Sequence, residues 1–94
     1  MVARIDSPAP RFRLGRVVAT PGVQRFPHPF LRRCIARHLS GDWGCVGPED
    51  AQANEEALCI GERLLSAYEL DGQRLWIITE HNRAYTTLLL PEEY

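Results

Sequence analysis

Apolar and polar positions alternate with two distinct periods along this chain. Phe30, Leu31, Cys34, Ile35, His38 and Leu39 recur at i, i+1, i+4, i+5, i+8 and i+9, which is one stripe of a helix, with Arg32, Arg33 and Arg37 off it. Pro29 suits the first turn of that helix, and Ser40-Gly41 ends it. Pro48-Glu49-Asp50 opens a second helix with acids in its first turn, and this helix runs to about Ile60 before Gly61. Beyond it the period changes to two. Arg63–Leu70 and Gln73–Glu80 flank Asp71-Gly72, the strongest short hairpin signal. His81-Asn82-Arg83 then turns into a last strand, Ala84–Leu90. A short β-branched run over Leu14–Thr20, stopped by Pro21-Gly22, predicts a first strand. The element order is β-α-α-β-β-β. The fold class is α+β, a small antiparallel sheet built from a three-stranded C-terminal meander plus the N-terminal strand, with two helices on one face. Residues 14–94 form a single domain, and residues 1–13, with two prolines and three arginines, read as a flexible basic arm.

A two-residue turn at 71–72 fixes the hairpin register. Glu69 then faces Arg74, Ala67 faces Trp76, Leu65 faces Ile78, and Arg63 faces Glu80, all on one side of the sheet. The other side carries Leu64, Ser66, Tyr68 and Leu70 against Thr79, Ile77, Leu75 and Gln73. It is the more continuously apolar side, so it is assigned to the helices. Two helices cover one face of such a sheet. The Leu65, Ala67, Trp76, Ile78 patch, rimmed by Arg63, Glu80, Glu69 and Arg74, is thus expected to be partly exposed, as a surface for a protein partner or a second copy.

Length and charge narrow the picture. With 94 residues the chain makes one small domain, and 45% apolar against 24% charged residues is an ordinary globular balance. Its longest apolar runs, such as Leu75–Ile78, fall far short of the ~20 residues of a membrane span, and the start lacks the apolar stretch of a secretory signal. No membrane association and a cytoplasmic setting are expected. The net charge of −1 hides an asymmetry: residues 1–43 carry eight Arg against two Asp, residues 44–94 three Arg against ten acids, and there is no Lys. Arg-rich halves can hold phosphate, but a near-neutral whole argues against tight, sequence-independent DNA binding. Cys34, Cys45 and Cys59 contain no C-x-x-C pair, which predicts reduced thiols, with Cys34 and Cys59 buried on helices, and no metal or cofactor.

His38-Leu39-Ser40-Gly41-Asp42-Trp43-Gly44, Arg63–Tyr68, Leu75–Glu80 and Thr86-Thr87-Leu88-Leu89-Leu90-Pro91-Glu92-Glu93-Tyr94 together resemble small proteins carried on proteobacterial plasmids and integrative elements. Such proteins are labelled "plasmid-related protein" or, loosely, a type I restriction methylase subunit. The resemblance covers about residues 14–94. It implies a mobile-element setting and no defined activity. The methylase label is not literal, because the chain has neither the glycine-rich cofactor loop nor the length of that fold. Asn82-Arg83-Ala84 departs from the Asp-Arg-Ser usual at that place.

Two functional classes remain. The first is a non-enzymatic macromolecule-binding module, acting on a host defence or regulatory system if the mobile-element setting applies. Its anchors would be Trp43 in an exposed Gly-flanked loop, Asp42 beside it, and the face of Leu65, Trp76 and Ile78 bordered by Arg63 and Glu80. The second is a compact, metal-independent ribonuclease of the barnase, colicin or RelE type. There His38 would be the general base, Arg83 would stabilise the phosphorane charge, and Thr86 or Thr87 would position the phosphate. Each of these residues also has a purely structural use: His38 lies on the apolar stripe, Asp42 can hold its loop, and the threonines suit strands. A third class, a nucleic-acid-binding regulator using the Arg-rich arm and first helix, has no helix-turn-helix, ribbon-helix-helix or zinc signature behind it.

Overall fold

The computed structural model describes residues 9–94. Strand β1 (Arg16–Ala19) leads through a 3-10 turn (Pro21–Arg25) into helix α1 (His28–Ser40) and then α2 (Pro48–Ile60). Strands β2 (Leu64–Leu70), β3 (Gln73–Thr79) and β4 (Tyr85–Leu89) follow, and a second 3-10 turn spans Pro91–Glu93. The four strands form one sheet in the order β1-β4-β3-β2. The α+β class and the β-α-α-β-β-β order are those the periodicity predicts.

The hairpin register is also the expected one, with Leu65 opposite Ile78, Ala67 opposite Trp76 and Glu69 opposite Arg74. Asp71 and Gly72 both take positive φ, 52° and 78°, as a two-residue turn matching the strand twist requires. That places Leu64, Ser66, Tyr68, Leu75, Ile77, Thr79, Thr86 and Leu88 on one side, and all eight are buried. Phe30 and Cys34 of α1 pack there with Tyr68, Leu75, Ile77 and Leu88, while Ala57 of α2 packs with Leu64 and Trp43.

One pairing corrects the expectation of an antiparallel sheet. β1 lies parallel to β4, Arg16 beside Tyr85 and Ala19 beside Leu88, so the sheet is mixed. The reason is the connection: after β1 the chain crosses the helical layer before entering β2, and long crossovers of this kind return a chain in its original direction. The three-strand meander then leaves β4 running the same way as β2, and hence as β1.

The outer edge of β2 is closed by two devices. Residues 43–45 lie alongside it, with Ala67 N–H donating to Trp43 C=O at 3.1 Å and Cys45 N–H to Ala67 C=O at 2.6 Å. Asn54 of α2 takes the next position, its amide donating to Leu65 C=O (2.7 Å) and accepting from Leu65 N–H (3.1 Å). Covering an edge in this way removes a template for unwanted strand pairing. Gly44 makes the approach possible. Its φ is +77°, and a Cβ there would lie 2.0 Å from Ala67 O.

The expected flexible arm, 1–13, lies partly outside the described residues, but its last residues are docked. Arg11 N–H bonds Leu39 C=O at 2.8 Å and its guanidinium holds both Glu55 oxygens at 3.0 and 2.9 Å. Phe12 sets its ring edge-on to His38 and stacks on Trp43. A bidentate ion pair and an aromatic contact outweigh the local lack of periodicity. At the other end Glu93 clasps the turn after β1, accepting from the Thr20 hydroxyl, Gly22 N–H (2.8 Å) and Leu90 N–H (2.9 Å). Cys34 is buried as expected, and burial raises its thiol to about 11. Cys59, expected to be buried, is exposed on the outer side of α2. Among the described residues no helix is long and apolar enough to cross a membrane.

Candidate functional site

Two groups of side chains compete as the functional site, one on each face of the sheet. On the covered face a chain of polar groups runs through the core. His38 of α1 has 0% exposure and sits between Ser66 of β2 and Thr79 of β3. Its Nδ1 lies 2.5 Å from Ser66 Oγ and its Nε2 2.9 Å from Thr79 Oγ1. Thr79 Oγ1 is 2.7 Å from Thr86 Oγ1, and Thr86 donates to Leu14 C=O at 2.8 Å.

Counting protons fixes every direction in this chain, since each hydroxyl has one to give. Thr86 gives its proton to Leu14, so Thr79 donates to Thr86 and accepts from Nε2–H of His38. Nδ1 is then the acceptor for Ser66. The imidazole is neutral: burial, helped by the positive charge of Arg83, pulls its pKa down to about 4. Nothing in the chain is left unsatisfied, as no buried side-chain nitrogen or oxygen lacks a partner among the described residues.

Of the residues expected in a nuclease site, His38 and Thr86 belong to this chain, and Arg83 is near enough for its charge to act on His38. Thr87 is not brought in; it points to the opposite face, opposite Ile78. Neither His38 nor Thr86 offers a solvent-exposed surface. Arg83, expected as an electrophilic stabiliser, donates instead to the carbonyls of Glu62 (2.6 Å), Glu80 (3.0 Å) and Ala57 (3.3 Å), tying the end of α2 to the β3–β4 turn.

Trp43, expected as an exposed anchor, is 6% exposed. Its flanking glycines suggest an open loop, but Phe12 stacks on it and its indole N–H donates to Glu55 at 3.0 Å, both from segments distant in sequence. Asp42, expected in the binding set, is held by Arg37 (2.7 Å) and accepts from Gly44 N–H (3.2 Å). The Arg37 hydrogen bond keeps its carboxyl below the ordinary aspartate range. Asp42 therefore shapes the loop that closes the β2 edge.

The other face is different. Its register rows are Leu65–Ile78–Thr87–Val18 and Ala67–Trp76–Leu89, counted from β2 outwards. Ala67, Ile78 and Leu89 are buried by their neighbours, so Ile78 is less accessible than expected, whereas Leu65, Trp76 and Thr87 are partly exposed and Val18 and Tyr85 are exposed. Tyr94, 69% exposed, sets its ring edge-on to Trp76 at 5.7 Å, and the Arg63 guanidinium lies over it at 5.4 Å. Between Arg63, Leu65, Trp76, Ile78 and Tyr94 is a groove of about 270 Å³. Arg63 meets Glu80 at 3.8 Å and Arg74 meets Glu69 at 3.8 Å, so the rim charges lie where the register puts them.

Sequence reasoning missed Ser66 and Thr79 as partners of His38, although their hydroxyls lay on the face assigned to the helices and required a polar group opposite. It also missed Tyr94, for which no periodic signal exists beyond Pro91. Among the described residues no group of three or more His, Cys, Asp or Glu is placed to hold a metal ion. Comparison with protein-family models, curated proteins and solved structures finds no match for this chain.

Proposed function

We propose that this protein is a non-enzymatic interaction module that binds a protein partner through the sheet face centred on Trp76. The observation that carries this reading is an accessible aromatic and aliphatic groove, Leu65, Trp76 and Tyr94, on the face that neither α1 nor α2 covers. Amphipathic aromatics beside arginine are the side chains that dominate interface energetics. The resemblance to mobile-element proteins adds the expectation of a partner in a host defence or regulatory system. The test compares wild type with Trp76→Glu as affinity baits under identical conditions. A protein retained by wild type and lost with Trp76→Glu supports the reading, and an identical capture profile together with an unchanged solution mass defeats it.

The ribonuclease reading has one specific observation behind it, the convergence of His38, Thr86 and the Arg83 charge. As folded, however, the ring is neutral, sealed and committed at both nitrogens. A general base requires reach to a substrate hydroxyl. Labelled single-stranded RNA incubated with pure protein at low and moderate salt is expected to remain intact. Cleavage that disappears in a folded His38→Asn, whose amide keeps the hydrogen bonds but cannot act as a base, would reverse the order of the two readings.

A further inference from the structure

The partner of the Trp76 face can be specified further, on the reading that this face is a docking surface. Four charged side chains stand at the corners of the apolar patch. Arg63 and Glu80 form one end of the β2–β3 hairpin, and Glu69 and Arg74 the end at its turn. Taken round the rim, the signs alternate: Arg63, Glu80, Arg74, Glu69. All four side chains are at least a quarter exposed, the least being Glu80 at 26%.

This arrangement is complementary to itself. A two-fold axis lying in the plane of the face and directed along the strands brings Arg63 of one copy against Glu80 of the other, and Glu69 against Arg74. A two-fold axis directed across the strands brings Arg63 against Glu69 and Arg74 against Glu80. In both cases every corner meets its opposite charge, the condition for an isologous contact. Aligned sheet-on-sheet packing also suits two such faces, with Trp76 and Tyr94 supplying apolar filling between layers ~10 Å apart. The same alternation disfavours a polyanion, which would meet Glu69 and Glu80 wherever it met an arginine.

We infer that the chain forms a two-fold symmetric homodimer in which the Trp76 faces of two copies pack together, with register set by Arg63, Glu69, Arg74 and Glu80. The experiment uses the full chain and measures mass by sedimentation equilibrium, with circular dichroism to confirm folding. Wild type is expected to be dimeric and Trp76→Glu monomeric. Two charge variants sharpen the test: Arg63→Glu with Arg74→Glu makes all four corners acidic, and Glu69→Arg with Glu80→Arg makes all four basic. Each alone is expected to weaken the dimer at least about tenfold. Mixed in equal amounts, they are expected to recover a dimer containing one chain of each, which pairing inside a single chain cannot produce.

Three sedimentation results would overturn the inference. These are a wild type that stays monomeric across the micromolar range, a dimer untouched by Trp76→Glu, or charge variants that fail to combine while wild type dimerises. A monomeric wild type that still captures a protein in a Trp76-dependent way would remove only the second copy as occupant. If Trp76→Glu alters neither mass nor capture, the docking reading itself fails. A shift of labelled single-stranded RNA lost in Trp76→Glu would transfer the face to nucleic acid and overturn the homodimer.

Discussion

The two faces of the β2–β3 hairpin use polar groups in opposite ways. On the covered face, Ser66, His38, Thr79 and Thr86 form one directed chain in which every proton has a destination and no atom reaches water. On the open face, Arg63, Glu80, Arg74 and Glu69 meet at 3.8 Å, solvated and loosely paired. Low local dielectric makes the first set costly to disturb, and solvent screening makes the second nearly inconsequential for folding. Residues that resemble a catalytic site by type are thus sealed within the core, while residues that resemble ordinary surface pairs frame the groove proposed as an interaction site.

Substitutions can break this contrast. The largest expected effect is His38→Ala, which leaves a cavity and strands the Ser66 and Thr79 hydroxyls; a loss of roughly 3–5 kcal/mol in urea unfolding is expected. Next comes acid. Because the folded state holds the ring near 4 against an ordinary value of 6.5, the unfolded chain binds the proton first, so stability falls as pH drops from 6.5 towards 4. The contribution of His38 to this decline is on the order of 3 kcal/mol. In His38→Asn, whose amide supplies a donor and an acceptor without titrating, only the shallower acid loss from carboxylates such as Asp42 and Glu55 should remain. Parallel slopes for the two proteins would mean that the ring is not buried neutral.

A finer comparison uses adjacent residues on opposite faces. Thr86→Val strands Leu14 C=O and the Thr79 hydroxyl and is expected to cost about 2 kcal/mol, whereas Thr87→Val should stay within about 0.5 kcal/mol of wild type in the same melts. The smallest effect is expected for Glu69→Gln, also within about 0.5 kcal/mol in stability. For the proposed dimer, the same substitution is expected to weaken association and remove part of its salt dependence when followed by sedimentation.

How far the sequence reveals this molecule depends on the range of the interactions involved. Both helices end where Gly41 and Gly61 put them, and Asp71-Gly72 alone sets the hairpin register, because caps and tight turns are decided by a few consecutive residues. The side of the sheet that faces the helices follows from period-two patterning. What escapes is non-local. The direction of a four-residue strand is not encoded in its own pattern, so β1 could not be oriented. Trp43 reads as an open-loop residue until Phe12 and Glu55 arrive from elsewhere, and Asn54 reads as a helix-surface amide until its side chain takes the place of a strand beside Leu65. At the site, the corner charges were legible and the Tyr94 ring over Trp76 was not.

The parallel join of β1 to β4 also orders events in time. Arg16 has its sheet neighbour in Tyr85, near the other end of the described chain. During synthesis the segment made early has no place in the sheet until the segment made late has emerged, and closing so long a loop comes after the local β2–β3 hairpin can form. A nascent chain halted before β4 would therefore carry helices and a hairpin, but would leave the Val17–Val18 segment without its β4 neighbour, exposed to proteases and to other chains.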